Sequence, residues 1–445
     1  MARPTPLSGF PEWLPGDQIV EQHVVDTLRR TFELHGFAPI NTRSVEPREQ
    51  LAGSSDTSKE IYLLRRLGAD DAAEEDPARQ LGLHFDLTVP FARYVVENAG
   101  KLTFPFKRYQ IQKAWRGERP QEGRFREFTQ ADIDVVGDGE LPFHYDFELP
   151  LVVADALRSL PVPPVRVQVN NRKLAEGFYR GLGFADVAAV LRVVDKLDKI
   201  GPAGASAELT GTAGATEAQA KACLQLAEIS ADDASFVDRV RALGVSDPLL
   251  DEGLDELAQV VEAAREDAPG LVVADLRIAR GLDYYTGTVY ETVMAGHEDL
   301  GSICSGGRYD NLASVGERRY PGVGLSIGVT RMLSRLFGAG LVRASRPVPT
   351  AVLIALTADD ARAAANRVAA GFRARGVATE VSPTAARFGK QIRYADRRGI
   401  PYVWFVGTDG EPDQVKDIRS GEQVEADPQT WMPPDDDATP TMITE

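Results

Sequence analysis

Residues 108–137 read RYQIQKAWRGERPQEGRFREFTQADIDVVG. RYQIQKAWRGE and REFTQADIDVVG both alternate with the period of a β-strand, and the polar run RPQEGRF joins them. In the second strand Gln130, Asp132 and Asp134 share one face, while Ala131, Ile133 and Val135 take the other. In the first, Arg116 and Glu118 share a face. An apolar face suits a core, and a mixed-charge face set in a cleft is a suitable floor for a ligand.

Working outward, residues 17–35 carry apolar residues at helical spacing and Gly36 stops the run. FAPINTRSVE predicts a strand, and the acidic residues 68–79 a solvated loop. LHFDLTVPFARYVVEN (83–98) runs from a strand end into a helix, with Pro90 in the first turn after Thr88. Asp86 and Thr88 share a face while the chain is still extended. FHYDFELPLVVADALRSL predicts a helix with an internal proline, and PVRVQVNN a strand. Residues 173–268 are Ala-rich and helical, with GPAGASAELTGTAGAT (201–216) as a low-complexity turn. The strand pattern resumes in LVVADLRIARGLDYYTGTVYETV and DLGSICSGGRYD. GVGLSIGVTRMLSRLFGAG is a strand entering a helix. From Pro349 strands and helices alternate, the mark of a small α/β domain. The expected organisation is a domain formed by 1–172 and 269–337, a helical insertion at 173–268, an α/β domain at 346–433 and a disordered tail at 434–445.

The 445 residues are 43% hydrophobic and 26% charged, enough for a real core. No long apolar run predicts a membrane span, and MARPTPLSGFPEWLPGD lacks the apolar region of a secretory signal. Two cysteines, Cys223 and Cys304, point to a reducing, cytoplasmic setting. The five histidines show no metal-ligand spacing, so no structural metal is expected. A net charge of −16 argues against indiscriminate nucleic-acid binding, though not against a local basic surface. No P-loop or strand–GxGxxG–helix unit is present.

The polar residues fall into two sets. Asp86, Gln130 and Asp134 suit a cationic or N–H-rich ligand. Arg116, Arg124, Arg280 and Arg331 suit a polyphosphate, because guanidinium presents a fixed fork of donors. Taken singly each has an ordinary reading: a solvated Arg–Glu pair, an exposed strand face, core tyrosines at 284 and 285, a tight turn at GGRYD. An ammonium-bearing substrate together with a nucleotide would need both sets.

With these residues in view, the chain resembles the histidyl-tRNA synthetases, a class II aminoacyl-tRNA synthetase family, over nearly its whole length. WRGERPQEGRFREFTQADIDVVG is similar to class II motif 2, and GVGLSIGVTRM to motif 3, with Arg331 as its arginine. ARGLDYYTGTVYE and CSGGRYDNL resemble the two stretches diagnostic of histidine enzymes. GKQIRYADRRGIPYVWFVG and VKDIRSGEQ resemble the anticodon-binding domain. Where motif 1 usually has threonine–proline, this chain has Thr42–Arg43.

The resemblance implies an α+β catalytic domain, with an antiparallel sheet flanked by helices and a helical insertion, plus a C-terminal α/β anticodon-binding domain. It implies a homodimer, ATP as substrate with Mg²⁺ on its phosphates, and L-histidine and tRNA(His) as partners. Arg116 and Arg280 would hold the α-phosphate, Arg280 also the substrate carboxylate. Arg124 and Arg331 would take the outer phosphates, with Glu118 near the adenine. Asp86, Thr88 and Gln130 would receive the α-ammonium, and Asp134 with Tyr284 or Tyr285 the imidazole. Strand alternation favours Tyr284 beside Arg280, whereas the family match favours Tyr285. Lys390, Arg393, Arg397 and Arg398 would face the tRNA backbone. Two alternatives share much of this pattern: a histidine-adenylating paralogue with a non-tRNA acceptor, and an inactive histidine-sensing regulatory subunit.

Overall fold

The computed structural model describes residues 5–52, 59–68, 79–279, 284–408 and 410–444. Residues 69–78 of the acidic segment lie outside the described residues, as do 280–283 with Arg280 and Asp283. The chain divides into two compact units, Met1–Pro11 with Val25–Arg335, and Glu12–Val24 with Leu336–Glu445.

A nine-stranded sheet organises the first unit. α1 (Pro15–Leu34) ends before Gly36, whose φ of 81° only glycine adopts without strain. β1 (Ala38–Pro39) precedes α2 (Thr88–Asn98), which leads to the long pair β2 (Phe106–Trp115) and β3 (Glu127–Val136). Then come α3 (His144–Arg158) and β4 (Val165–Asn171). The helical stretch holds α4 (Arg172–Gly181), α5 (Val187–Val194), α6 (Leu197–Thr212), α7 (Glu217–Ala227), β5 (Ser230–Ala231), α8 (Phe236–Arg241) and α9 (Pro248–Asp267). β6 (Val272–Asp275), β7 (Thr288–Met294), β8 (Cys304–Tyr309), β9 (Gly322–Gly328) and α10 (Val329–Gly338) follow. The strand order is β1-β2-β3-β9-β8-β7-β4-β6-β5. It is antiparallel from β2 through β4, with parallel pairs β1–β2 and β4–β6 nearer its edges. α3 packs on β9 through an apolar face including Leu149, Val152, Val153 and Leu157, all buried.

Three local expectations change. FAPINTRSVE is not one strand: Ala38–Pro39 joins β2, while Val45–Pro47 pairs with Leu81–Leu83, which also pairs with Leu63–Leu64. Most of 201–216 is helix rather than turn. Alanine supplies the propensity, and glycine and proline confine the break to a kink at Gly201 (φ 70°) and Pro202. The insertion also gives β5 to the large sheet, paired with β6.

The second unit has β10 (Val352–Ile354), α11 (Arg362–Ala374), β11 (Thr379–Val381), α12 (Phe388–Arg398), β12 (Tyr402–Phe405), β13 (Gln414–Asp417) and β14 (Gln423–Glu425). The order β11-β10-β12-β13-β14 is parallel over the first three strands and antiparallel after them. Its core gathers Val352, Ile354, Phe372 and Trp404. The tail expected to be disordered is ordered through Thr444. Asp435–Ala438 is helical, and Met442–Thr444 pairs with Val342–Ala344. Asp435 and Asp436 are exposed, but Asp437 is anchored, receiving Arg419 Nη1 and the Tyr402 hydroxyl, each at 2.7 Å.

Candidate active site

The polar face read from β3 is real, but Asp132 and Asp134 are buried and only Gln130 is partly exposed. Register sets Gln130, Asp132 and Asp134 opposite Gln112, Gln110 and Arg108 of β2, and opposite Gly328, Ser326 and Gly324 of β9. Glycines clear this floor. A Cβ on Gly324 would stand 2.1 Å from Asp134 Oδ1, and one on Gly307 of β8 would stand 2.9 Å from the Tyr285 ring. The close approach of functional side chains therefore requires the glycines in GVGLSIG and SGGRYD.

Hydrogen bonds fix the floor's polarity. The Ser326 hydroxyl donates to Asp132 Oδ1, so it can only accept from Gln130 Nε2, 2.7 Å away. That assignment leaves Gln130 Oε1 as a buried acceptor with no donor among the described residues. Tyr309 donates to Asp134 Oδ1 at 2.6 Å, and Arg108 Nη2 stands 2.6 Å from Asp134 Oδ2. Asp86, just before α2, accepts from Val89 N at 3.1 Å and from the Tyr284 hydroxyl at 3.3 Å. Thr88 opens α2, two residues after Asp86. Tyr284 lies edge-on to Tyr285 with ring centroids 4.8 Å apart, and 6.1 Å from Tyr309. Both tyrosines precede β7, so strand alternation does not govern them and both reach this cluster. Burial pushes Asp86 up to about 6 and Asp132 up to about 7, and raises Asp134, against the pull of nearby arginines.

The second set lies along the loop joining β2 and β3. Arg116 N extends the ladder to Arg126 O at 3.0 Å, and its Nε donates to Phe85 O at 3.0 Å, beside Asp86. Arg124 Nη1 reaches Glu118 Oε2 at 3.2 Å. Between them Gly123 has φ 70°, and a Cβ there would meet Arg331 Cγ at 3.4 Å. Arg331, in the first turn of α10, also donates to Leu300 O. Thr330 Oγ1 accepts from Thr129 N at 2.8 Å and ties the helix start to β3. Arg116 thus adjoins the acidic cluster, while Glu118, Arg124 and Arg331 gather at the loop. Arg280 lies outside the described residues.

Sequence reasoning missed Tyr309, Ser326 and Arg108. Arg108, Gln110 and Gln112 alternate with Tyr109 and Ile111, so a polar row was readable in β2. Tyr309 was hidden because GGRYD reads locally as a turn. No group of three or more His, Cys, Asp or Glu among the described residues could hold a metal ion.

A family model described as histidyl-tRNA synthetase matches residues 9–332, and one described as anticodon binding domain matches 350–430. The chain belongs to the histidyl-tRNA synthetase family. A histidine–tRNA ligase of Micrococcus luteus is 60% identical, covering 99% of each chain, and that of Cutibacterium acnes is 56% identical over 100% of this chain and 99% of the other. The crystal structure of a Nostoc histidyl-tRNA synthetase has a TM-score of 0.82 at 35% identity, covering 96% of this chain and 97% of its own. The family's reaction, ATP-dependent activation of histidine and its transfer to tRNA, is therefore this chain's reaction. The paralogue and regulatory alternatives are not favoured. No helix among the described residues is long and apolar enough to cross a membrane.

Proposed function

We propose that histidine binds on the β3 floor, with its ammonium on Asp86, Thr88 and Gln130 and its imidazole between Asp134 and Tyr284 or Tyr285. Gln130 Oε1, a buried acceptor with no donor among the described residues, carries this reading. Leaving such a group unpaired is costly, and a substrate N–H relieves it. A site that hydrogen-bonds both ring nitrogens rejects isosteres lacking them by on the order of 10⁴-fold, which makes editing unnecessary.

The ionised carboxylate of histidine attacks the α-phosphorus of ATP and pyrophosphate leaves. No general base is required, so catalysis is alignment and charge stabilisation. Arg116 holds the α-phosphate, and Arg280 meets the same phosphate and the substrate carboxylate. Arg124 and Arg331 hold the outer phosphates, and Glu118 sits near the adenine. A terminal ribose hydroxyl of tRNA(His) then attacks the acyl carbon and AMP leaves. Mg²⁺ fits the polyphosphate side, where its charge neutralises phosphate oxygens.

Residues 1–172 and 269–337 form the catalytic domain, 173–268 the insertion and 346–433 the anticodon-binding domain, in a cytoplasmic homodimer. Leu63, Leu64 and Leu81, exposed on the small sheet, support burial against a second copy. Arg43, in place of the usual proline, is fastened within its own chain by Glu46 at 2.7 Å. On α12, Lys390, Arg393 and Arg397 are exposed, which suits phosphate contact, while Arg398 leans on Tyr394 at 2.5 Å.

The test is ATP–pyrophosphate exchange with each of the twenty amino acids, followed by charging of total tRNA. Histidine alone should stimulate exchange, and one isoacceptor group should be charged. Exchange driven equally by other amino acids would remove the reading.

A further inference from the structure

Beneath the histidine side lies a charge arrangement that none of these roles uses. Arg108 is wholly buried, with its guanidinium carbon 4.2 Å from the centroid of the Phe91 ring. Nη2 stands 2.6 Å from Asp134 Oδ2 and 4.0 Å from Asp132 Oδ2. The shorter approach is out of line for a hydrogen bond, and Nε has no hydrogen-bond partner among the described residues. Among the described residues only Nη1 donates, to Gln110 Oε1 at 3.3 Å, and one cation, Arg108, faces both carboxylates. The other groups facing the pair are Tyr309 and Ser326, which donate to Asp134 and Asp132 respectively, and Asp86, Tyr285 and Cys304. Two buried carboxylates on one strand face repel, so without a cation the charge of each is disfavoured by the other.

We propose that Arg108 is a positioning residue for histidine selection: its guanidinium keeps Asp134, rather than its neighbour Asp132, charged and turned towards the imidazole. The inference rests on the reading above that Asp134 takes an imidazole N–H. Attraction falls with distance, and the separations of 2.6 and 4.0 Å favour charge on Asp134. The Tyr309 hydroxyl, donating to the other oxygen, stabilises the same form. Without Arg108 the imidazole meets a carboxyl that is protonated part of the time, while Asp86 and Gln130 keep their places.

The experiment measures KM for histidine and for ATP separately by pyrophosphate exchange, from about pH 5.5 to about 8.5, a span that brackets histidine's own titration. It uses the full chain and its R108M, R108K, D132N, D134N and R108M/D132N variants. R108M is expected to raise KM for histidine roughly 30-fold while KM for ATP stays within about twofold. Its acid limb of kcat/KM for histidine should move to higher pH. Free histidine titrates identically in every assay, so a shift between variants belongs to the protein. R108K should retain most of the affinity. D132N in the R108M background should restore about tenfold, because the competitor for charge is gone.

If D134N loses histidine but R108M does not, the inference falls and the reading of Asp134 stands. If D134N keeps a normal KM for histidine, both fall. A rise of both KM values together, or no rescue by D132N, means Arg108 only supports the sheet and overturns the proposal. Should R108M fail to fold, D132N alone carries the test. With Arg108 unshared, its acid limb should move to lower pH, and an unmoved limb sinks the proposal.

Discussion

The two sides of the site are built differently. On the side proposed for histidine, Gln130, Asp132 and Asp134 stand on one strand, each held by a neighbouring side chain, with both aspartates nearly shut from water. On the side proposed for the nucleotide, Glu118 and Arg124 ride on a loop, and the Arg124 side chain is 45% exposed. The difference follows from what each side must do. Selecting a neutral ring among similar amino acids needs acceptors that cannot rearrange to suit a wrong one. Holding triphosphate needs charge, and ATP can exchange the internal partners of these arginines for its own oxygens.

The largest effect should come from the residue that joins the two sides. Arg116→Gln removes a donor where negative charge develops, and single-turnover adenylate formation should slow by roughly 10²–10³-fold. KM for histidine should change by no more than about threefold, since the acceptors are untouched. A loss confined to histidine affinity would put Arg116 on the wrong side of the comparison.

Gly324→Ala tests the rigidity of the histidine side. The new methyl would lie 2.1 Å from Asp134 Oδ1 and 3.0 Å from Ile133 O, so the carboxylate must move. We expect kcat/KM for histidine to fall by roughly 10–100-fold with KM for ATP unchanged. A variant that binds histidine normally would mean this floor is softer than its packing indicates.

Asp86→Asn should separate binding from stability. Burial raises the Asp86 carboxyl from 3.8 to about 6, so folding is penalised wherever the unfolded chain would ionise that group. The penalty is absent below about pH 3.8, complete above about pH 6, and on the order of 2–3 kcal/mol. Asparagine keeps the shape without the charge. At pH 8 the variant should melt several degrees higher than the parent, as scanning calorimetry would read, while KM for histidine rises at least about tenfold. In the parent, histidine affinity should fall as pH drops through about 6, when Asp86 gains its proton. Lower stability in the variant at pH 8 would show that Asp86 serves the fold rather than the ligand.

The same contrast explains what could be read from residues alone. The β2–β3 pair and the face shared by Gln130 and Asp134 were legible, because a period of two is a local property. The helices at 15–34, 144–158 and 329–338 were legible for the same reason. Tyr309 was not, because its role depends on β8 lying beside β9 and on Gly322, where a Cβ would stand 2.4 Å from the Tyr309 ring. Arg108 looked like a strand terminus and proved to be the buried cation of the floor. The tail at 434–445 was expected to be disordered, and only the fold supplies Arg419 and Tyr402 as partners for Asp437. In each case the missing information was a partner distant in sequence.

The smallest effect is expected at Arg124, and it tests whether the loop side tolerates change. Its pair with Glu118 spans 3.2 Å, with side chains 45% and 17% exposed. A pair this open contributes about 0–1 kcal/mol, so Arg124→Ala should leave the melting temperature nearly unchanged. It should raise KM for ATP by roughly fivefold with KM for histidine constant, because one outer-phosphate contact is lost and the floor is not. The deficit should shrink as salt is raised, since an exposed charge is screened within about 8–10 Å at moderate ionic strength. A salt-independent deficit would mean that Arg124 closes down into a dry site once ATP arrives. The loop would then be as ordered as the floor in the working enzyme, and the contrast between the two sides would hold only for the empty protein.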